Sequence, residues 1–321
     1  MHLLEKRIRN FDGSDFESLT LDVFQFQYEN VKVYRDFCNY LGKTNPSNLN
    51  EIPFLPIRFF KSHAILADEA KAALHFKSSG TGGERSSHFV ASPELYEHTF
   101  ERIYRNQIGH PENQVILALL PNYLEQGESS LVYMVDHLIK MTNSELSGFF
   151  LDNHQAIIDR YTTALATGKQ VIIFGVSYAL LDLMKLHPDL SQAIIIETGG
   201  MKGRRKEMTK AELHDTLKTG LNCPSISSEY GMTELLSQGY SRSDGVFKTG
   251  ITMKILIREV NDPYQYIDAG KTGGINIVDL ANLYSCSFIE TQDLGKIHDD
   301  GFEIMGRFDH SDLRGCNLLV Q

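Results

Sequence analysis

Between residues 73 and 227 the chain alternates short apolar runs with longer stretches of helical periodicity, and few folds accept that rhythm. The short runs are Ala73 to Lys77, Val115 to Leu120, Leu146 to Leu151, Val171 to Phe174, Ala193 to Ile196 and Ser225 to Ser227. Between them the spacing predicts helices over 93–109, 129–141, 154–167, 177–186 and 204–218. A strand buried on both faces reads as an unbroken apolar run, and parallel neighbours need a crossover that a helix supplies. The fold class is therefore α/β, with a mostly parallel sheet flanked by helices.

The two ends have a different texture. Ser14 and Asp15 offer a cap, and Phe16, Leu19, Val23, Phe26, Tyr34 and Phe37 fall at roughly helical spacing, so one amphipathic helix is expected over 14–41 with Gly42 as its stop. Pro46, Pro53 and Pro56 mark a connection. After about residue 240 short alternating segments, Met253 to Val260, Gly274 to Val278, Tyr284 to Glu290 and Phe302 to Met305, predict a β-rich subdomain. The expected organisation is a helical segment over 1–70 packed on the core, an α/β core over 71–240 and the β-rich subdomain over 241–321.

Charge and composition remove several classes of function. With 41 acidic against 31 basic side chains the formal net charge is −10, and a surface that tracks phosphates needs a basic excess, so no nucleic-acid partner is expected. The start, Met1 to Arg7, is broken by charge and lacks the apolar region of a secretory signal. The most apolar stretch, Val171 to Leu181, is 11 residues long. That is well short of the ~20 that cross a bilayer, so a cytoplasmic protein without membrane insertion is expected. Cys38, Cys223, Cys286 and Cys316 have neither disulfide-framework nor zinc-ligand spacing and are expected to be free thiols, with no structural metal.

Four loops carry chemistry. Ser78, Ser79, Gly80, Thr81, Gly82 and Gly83 follow a predicted strand; glycines admit close backbone approach to an anion and hydroxyls add donors, the makings of a phosphate cradle. The spacing is not that of a P-loop, since no lysine follows the last glycine. Thr198-Gly199-Gly200-Met201 follows another strand, where backbone can approach a flat ring at the carboxyl end of a sheet. Glu229-Tyr230-Gly231-Met232-Thr233-Glu234 offers an aromatic face for a purine, a hydroxyl for a phosphate and a carboxylate for Mg²⁺. The fourth loop, Gln292-Asp293-Leu294-Gly295, adds a carboxylate suited to ribose hydroxyls, and beyond the four loops Gly306-Arg307-Phe308-Asp309 adds a cation. Taken singly, each reads equally well as an ordinary turn, with Thr233-Glu234 opening a helix.

In this order the loops resemble those of the adenylate-forming superfamily of acyl-CoA synthetases and acid ligases. Longer stretches narrow the likeness: Pro121 to Gln126 running into Ser129 to Asp136, Glu197 to Arg205, Glu229 to Gly239, and Ser311 to Cys316. These are similar to the acyl-protein synthetase (LuxE) family, the fatty-acid-activating component of the bacterial luminescence fatty acid reductase. The resemblance runs from about residue 76 to the end of the chain. It implies the fold of the N-terminal domain of adenylate-forming enzymes, with the mobile C-terminal domain largely absent and a truncated hinge near Gly306. It also implies ATP-dependent activation of a fatty or other carboxylic acid to an acyl-adenylate and transfer of the acyl group to a cysteine thiol of the chain or of a partner. ATP and Mg²⁺ are the implied cofactors, and an acyl-CoA or acyl-protein reductase is the implied partner.

By the same resemblance Ser78 to Gly83 bind the phosphates, Gly199, Gly200 and Met201 with Tyr230 and Gly231 flank adenine, Thr233 touches the α-phosphate and Glu234 holds Mg²⁺. Asp293 and Arg307 take the ribose. Two departures stand out: Arg85 and Ser86 replace the proline and lysine that usually follow the glycine-rich loop, and the chain stops at Gln321, before the domain that usually supplies a lysine to the adenylate. Lys77, Lys202 and Arg204 are the candidate replacements.

Cys316, near Arg307 and Arg314, is the first candidate for acyl acceptor, because neighbouring cations favour the thiolate; Cys286 comes second, and Cys38 and Cys223 read as packing residues. His88, His137, His154 and His310 sit in no ligand pair and are expected at the surface or at helix ends. Two other readings are open: a ligase that passes the acyl group to coenzyme A, and an inactive nucleotide-binding scaffold.

Overall fold

The computed structural model describes residues 2–78, 85–121, 127–151, 153–199, 208–243 and 245–307. The chain forms two compact units, one from residues 76–81 and 96–250, the other from 1–75, 82–95 and 251–321.

The unit centred on residues 96–250 holds the predicted parallel sheet. Its strands lie in the order Val246–Thr249, Gly239–Ser241, Ile226–Tyr230, Ala193–Thr198, Gln170–Val176, Gln114–Leu119, Gly148–Phe149. The five from Ile226–Tyr230 to Gly148–Phe149 are parallel; Gly239–Ser241 and Val246–Thr249 join antiparallel. Every residue of Gln114–Leu119 is buried, as is every residue of Val171 to Val176, which is why these strands read as unbroken apolar runs. The helices return between strands, and three of them start on side-chain caps. Ser129 accepts from the Val132 N–H, Asn153 from Ala156, and Thr209 and Glu212 form a capping box that opens Lys210–Gly220. That helix is shorter than the spacing predicts, and residues 204–207 lie outside the described residues. The run Leu146 to Leu151 gives only the two-residue edge strand Gly148–Phe149.

The other unit carries an antiparallel sheet, Met253–Arg258, Thr272–Asp279, Phe288–His298, Gly301–Arg307, with Leu55–Pro56 added in parallel to Phe288–His298. The β-rich texture after residue 240 is real, but Phe288–His298 is an 11-residue strand, so Gln292 to Gly295 lie in mid-strand and not in a turn. The expected single helix over 14–41 is two, Phe16–Asn30 and Lys32–Leu41, separated at Val31. Val31 is extended and fully buried, so the β-branched side chain is delivered to the core by breaking the helix. Gly42 does end the second helix, in the left-handed conformation that suits glycine.

These helices pack on the antiparallel sheet through Phe24, Tyr34, Phe54 and Phe288, whose ring centroids lie 5.7–6.2 Å apart. Gln27, fully buried, donates to the carbonyls of Asn282 and Leu283 and to Ser287 Oγ, and accepts from the Ser287 N–H at 3.0 Å. A buried amide with every group partnered costs little and fixes how the helix seats. His88, expected at the surface or at a helix end, is also fully buried here, bonded to Asn282 Oδ1 at 2.9 Å with its ring against Phe60. Among the described residues no helix is long and apolar enough to cross a membrane.

Candidate active site

In the parallel sheet Gln114–Leu119 lies between Gly148–Phe149 and Gln170–Val176, so the strand order reverses there, and open α/β sheets bind ligands outside the carboxyl ends of strands around such a point. Two strands further on, Ala193–Thr198 and Ile226–Tyr230 run side by side, with Thr198 opposite Glu229. The turns that leave them start at Gly199 and Gly231, so parallel register brings together two segments more than thirty positions apart in sequence. Gly199 has φ +73°, and among the described residues a Cβ built there would meet only Val176 Cγ1, at 4.0 Å. The left-handed backbone suits glycine, which admits close approach of a ligand. Tyr230 is buried at the head of the second turn, with its ring centroid 5.9 Å from that of Phe247.

Beneath these turns lies a buried polar network that the sequence reading missed. Glu197, 2% exposed, receives Lys210 Nζ at 3.1 Å and Ser228 Oγ at 3.2 Å on Oε2. His214 Nε2 is 3.0 Å from Ser228 Oγ and 4.0 Å from the same carboxylate. Ser177 Oγ lies 2.5 Å from both Glu197 Oε1 and the Gly199 carbonyl and donates its one proton to either. Glu229 accepts from Thr198 Oγ1 at 2.5 Å. The two carboxyls titrate in opposite directions. Burial works against the Glu197 charge, yet His214, Lys210 and Ser177 outweigh it and hold Glu197 below the usual carboxylate range. Burial dominates at Glu229, which is pushed up to about 7, with the Glu197 charge adding to the rise. The available signal was two acids at the ends of apolar strands, Glu197 after Ala193 to Ile196 and Glu229 after Ser225 to Ser227.

Past Gly231 the chain makes a tight turn in which the Leu235 N–H donates to the Met232 carbonyl; Thr233 and Glu234 stand in this turn and do not open a helix. Thr233 is half-buried and Glu234 buried. In the antiparallel unit Asp293 and Arg307 face each other across adjacent strands, and Arg307 Nε donates to Asp293 Oδ1 at 2.9 Å. The register slips between Leu294 and Gly295, where a Cβ on Gly295 would come within 2.6 Å of the Glu303 carbonyl, so glycine is required for the strands to approach.

Of the predicted cradle only Ser78 is described, half-buried; Ser79, Gly80, Thr81, Gly82, Gly83, Gly200, Met201 and Cys316 lie outside the described residues, as do Lys202 and Arg204. Lys77 is ion-paired with Glu128. The other three cysteines are buried. Burial pushes the Cys38 thiol up to about 12 and Cys223 to about 11, and drives Cys286 higher still while its Sγ donates to the Phe288 carbonyl.

Within the parallel unit the residues present suit a magnesium nucleotide: the glycine backbone at Gly199 admits close approach of a flat ring, and Glu234 is a hard oxygen donor.

The profile of the family described as "Acyl-protein synthetase, LuxE" matches residues 13–321. The long-chain-fatty-acid--luciferin-component ligase of Vibrio harveyi is 23% identical over 334 residues, covering 94% of this chain and 86% of the relative. Among solved structures, ATP-bound MatB from Rhodopseudomonas palustris superposes with a TM-score of 0.57 at 15% identity, over 74% of this chain and 48% of that one. A long-chain-fatty-acid-CoA ligase (FadD1) from Archaeoglobus fulgidus gives 0.55 at 16% identity, over 77% of this chain and 54% of that one. The o-succinylbenzoate coenzyme A synthetase (MenE) of Bacillus subtilis, solved with ATP and magnesium, gives 0.52 at 16%, over 74% and 50%. The chain spans about half the length of these structures, and at such identities the likeness is one of fold, that of adenylate-forming enzymes. The profile, by contrast, runs from Gly13 to Gln321 through both units, and on that extent the chain belongs to the acyl-protein synthetase (LuxE) family of acid–thiol ligases.

Proposed function

We propose that this ligase activates a long-chain fatty acid with Mg·ATP and loads the acyl group onto its own Cys316, from which a partner reductase takes it. Family membership carries the reaction class. The observation that supports the site is the parallel pairing of Ala193–Thr198 with Ile226–Tyr230, which sets Gly199 and Gly231 at neighbouring strand ends.

Bound Mg·ATP supplies an electrophilic α-phosphorus: the substrate carboxylate attacks it, the bond to pyrophosphate breaks, and a thiolate then takes the acyl carbon and releases AMP. Everything else falls to the chain. Ser78 to Gly83 offer N–H and hydroxyl donors to the phosphates. Gly199 to Met201 and Tyr230-Gly231 receive the adenine between backbone and ring, Thr233 donates to the α-phosphate, and Glu234 holds the magnesium. Asp293 accepts from the ribose hydroxyls, and Arg307, which donates to Asp293 Oδ1, orients that carboxyl. Such donors act by meeting charge that builds up in the transition state. Cys316 is favoured as acceptor because the other three thiols are buried and hard to ionise, and a nucleophilic cysteine must reach the thiolate.

The test is to incubate the full chain with Mg·ATP and labelled carboxylic acids of several lengths, then run denaturing gels with and without hydroxylamine. A band stripped by hydroxylamine and lost in Cys316→Ser is expected. Pyrophosphate without a band transfers the bet to an external thiol, coenzyme A included, and no pyrophosphate with any acid overturns the reading.

A further inference from the structure

Glu197 and Glu229 are two buried carboxyls served by one ammonium, that of Lys210. Lys210 sits 3.1 Å from Glu197, and among the described residues Glu229 has the hydroxyl of Thr198 as its donor. The described groups that face this pair come from three elements. From the neighbouring strand come Glu197 and Thr198; from helix Lys210–Gly220 come Lys210 and, beside Glu197, His214; from strand Gly239–Ser241 comes the buried phenol of Tyr240, opposite Glu229. None of these adds a second cation next to Glu229. One carboxylate keeps its charge, and the other is mostly protonated below about pH 7.

Glu229 also touches both turns. Its Oε2 accepts from Thr198, the residue before Gly199, and its Oε1 lies so close to Gly231 that a Cβ there would sit 2.2 Å away. A neutral carboxyl holds these two strand ends at no electrostatic cost, whereas an ionised one sets a second negative charge beside Glu197 beneath the residues that receive the adenine of an anionic nucleotide. In a low-dielectric site that repulsion has few ions to screen it.

Resting on the functional reading above, we propose that Glu229 is a positioning residue whose protonated form is the nucleotide-binding form, so that nucleotide uptake in this unit is coupled to one proton on its carboxyl. By linkage the affinity is flat in acid and falls about tenfold per pH unit once Glu229 ionises in the free protein.

The test is direct binding of Mg·ATP to the full chain by titration calorimetry, from about pH 6 to about pH 8.5, in pairs of buffers with different heats of ionisation; protons carried by the nucleotide itself cancel between variants. The wild type is expected to lose about fivefold in affinity between pH 7 and 8 and to take up most of one proton per nucleotide at pH 8. Glu229→Gln, which keeps the volume and the neutral form, is expected to flatten the profile and remove that proton, while His214→Asn keeps both. Thr198→Val offers a second reading, because its hydroxyl favours the charged form, so its loss moves the break to higher pH. A Glu229→Gln protein with the wild-type slope and proton uptake overturns the inference, as does a Thr198→Val profile that stays put or moves down. A wild type that binds nucleotide without proton uptake overturns it and leaves the functional reading standing; a wild type that binds no nucleotide at any pH takes down both.

Discussion

The two carboxylate sites of this enzyme are built to opposite plans. In the parallel unit Glu197 is 2% exposed and surrounded by Lys210, Ser177, Ser228 and His214, while in the antiparallel unit Asp293 is held by an Arg307 that is 72% exposed. A buried ion loses its hydration and depends on every partner it keeps; a half-open pair is screened by water and contributes little to folding. The first arrangement fixes backbone, and the second leaves a cation at the surface where a ligand can exchange with solvent. The same chemical pairing serves stability in one unit and is free to serve recognition in the other.

The largest effect should come from breaking the buried site. Glu197→Ala removes the buried acceptor shared by Lys210, Ser177 and Ser228, and is expected to cost about 3 kcal/mol, read as a lower midpoint in urea denaturation. A cost below ~1 kcal/mol would mean that water or rotamer change satisfies the site and would erase the contrast between the units. Next comes the pH dependence of stability. Glu229 titrates at 4.5 when unperturbed and at about 7 when folded, so between those values the native state holds a proton that the unfolded chain has released. Stability attached to this group is complete below the lower value and is lost as pH rises through the upper one, and Glu229→Gln is expected to gain about 3 kcal/mol on wild type between pH 4.5 and 7.5. Urea midpoints across that range decide it; parallel curves would place the pH dependence elsewhere. The smallest effect on folding belongs to Arg307→Gln, within ~0.5 kcal/mol of wild type, because the guanidinium is mostly in water. The same variant should raise the KM for ATP about tenfold with kcat nearly unchanged, the pattern of lost uniform binding. A large loss of stability instead would make the Asp293 pair a structural one.

Much of this architecture is legible in the sequence, and the exceptions have physical causes. Val115 to Leu120 and Val171 to Phe174 announce buried parallel strands because nothing polar interrupts them, and the structure places both inside the sheet, each paired on both sides. The helix break at Val31 is not announced, since Phe16 to Phe37 keep a helical spacing on both sides of it and only the depth of the core decides that Val31 turns inward. Asp293 looks like a turn residue beside Gly295, yet the glycine marks a register slip inside a long strand, a distinction that depends on the partner strand. His88 carries no local sign of its burial either, because its partner Asn282 is 194 positions away.

The order of the four loops, the α/β class and the family are properties of the sequence alone, because they rest on residue types and spacings that survive without coordinates. The acid–base character of the site is not. Glu197 and Glu229 are the same residue type at the ends of two similar strands, and which of them keeps its proton follows from a 3.1 Å approach by Lys210 that exists only after the strands have paired in parallel register. Periodicity is written along the chain, whereas a carboxyl's charge is set by what surrounds it in space, and those neighbours come from segments that only folding brings together.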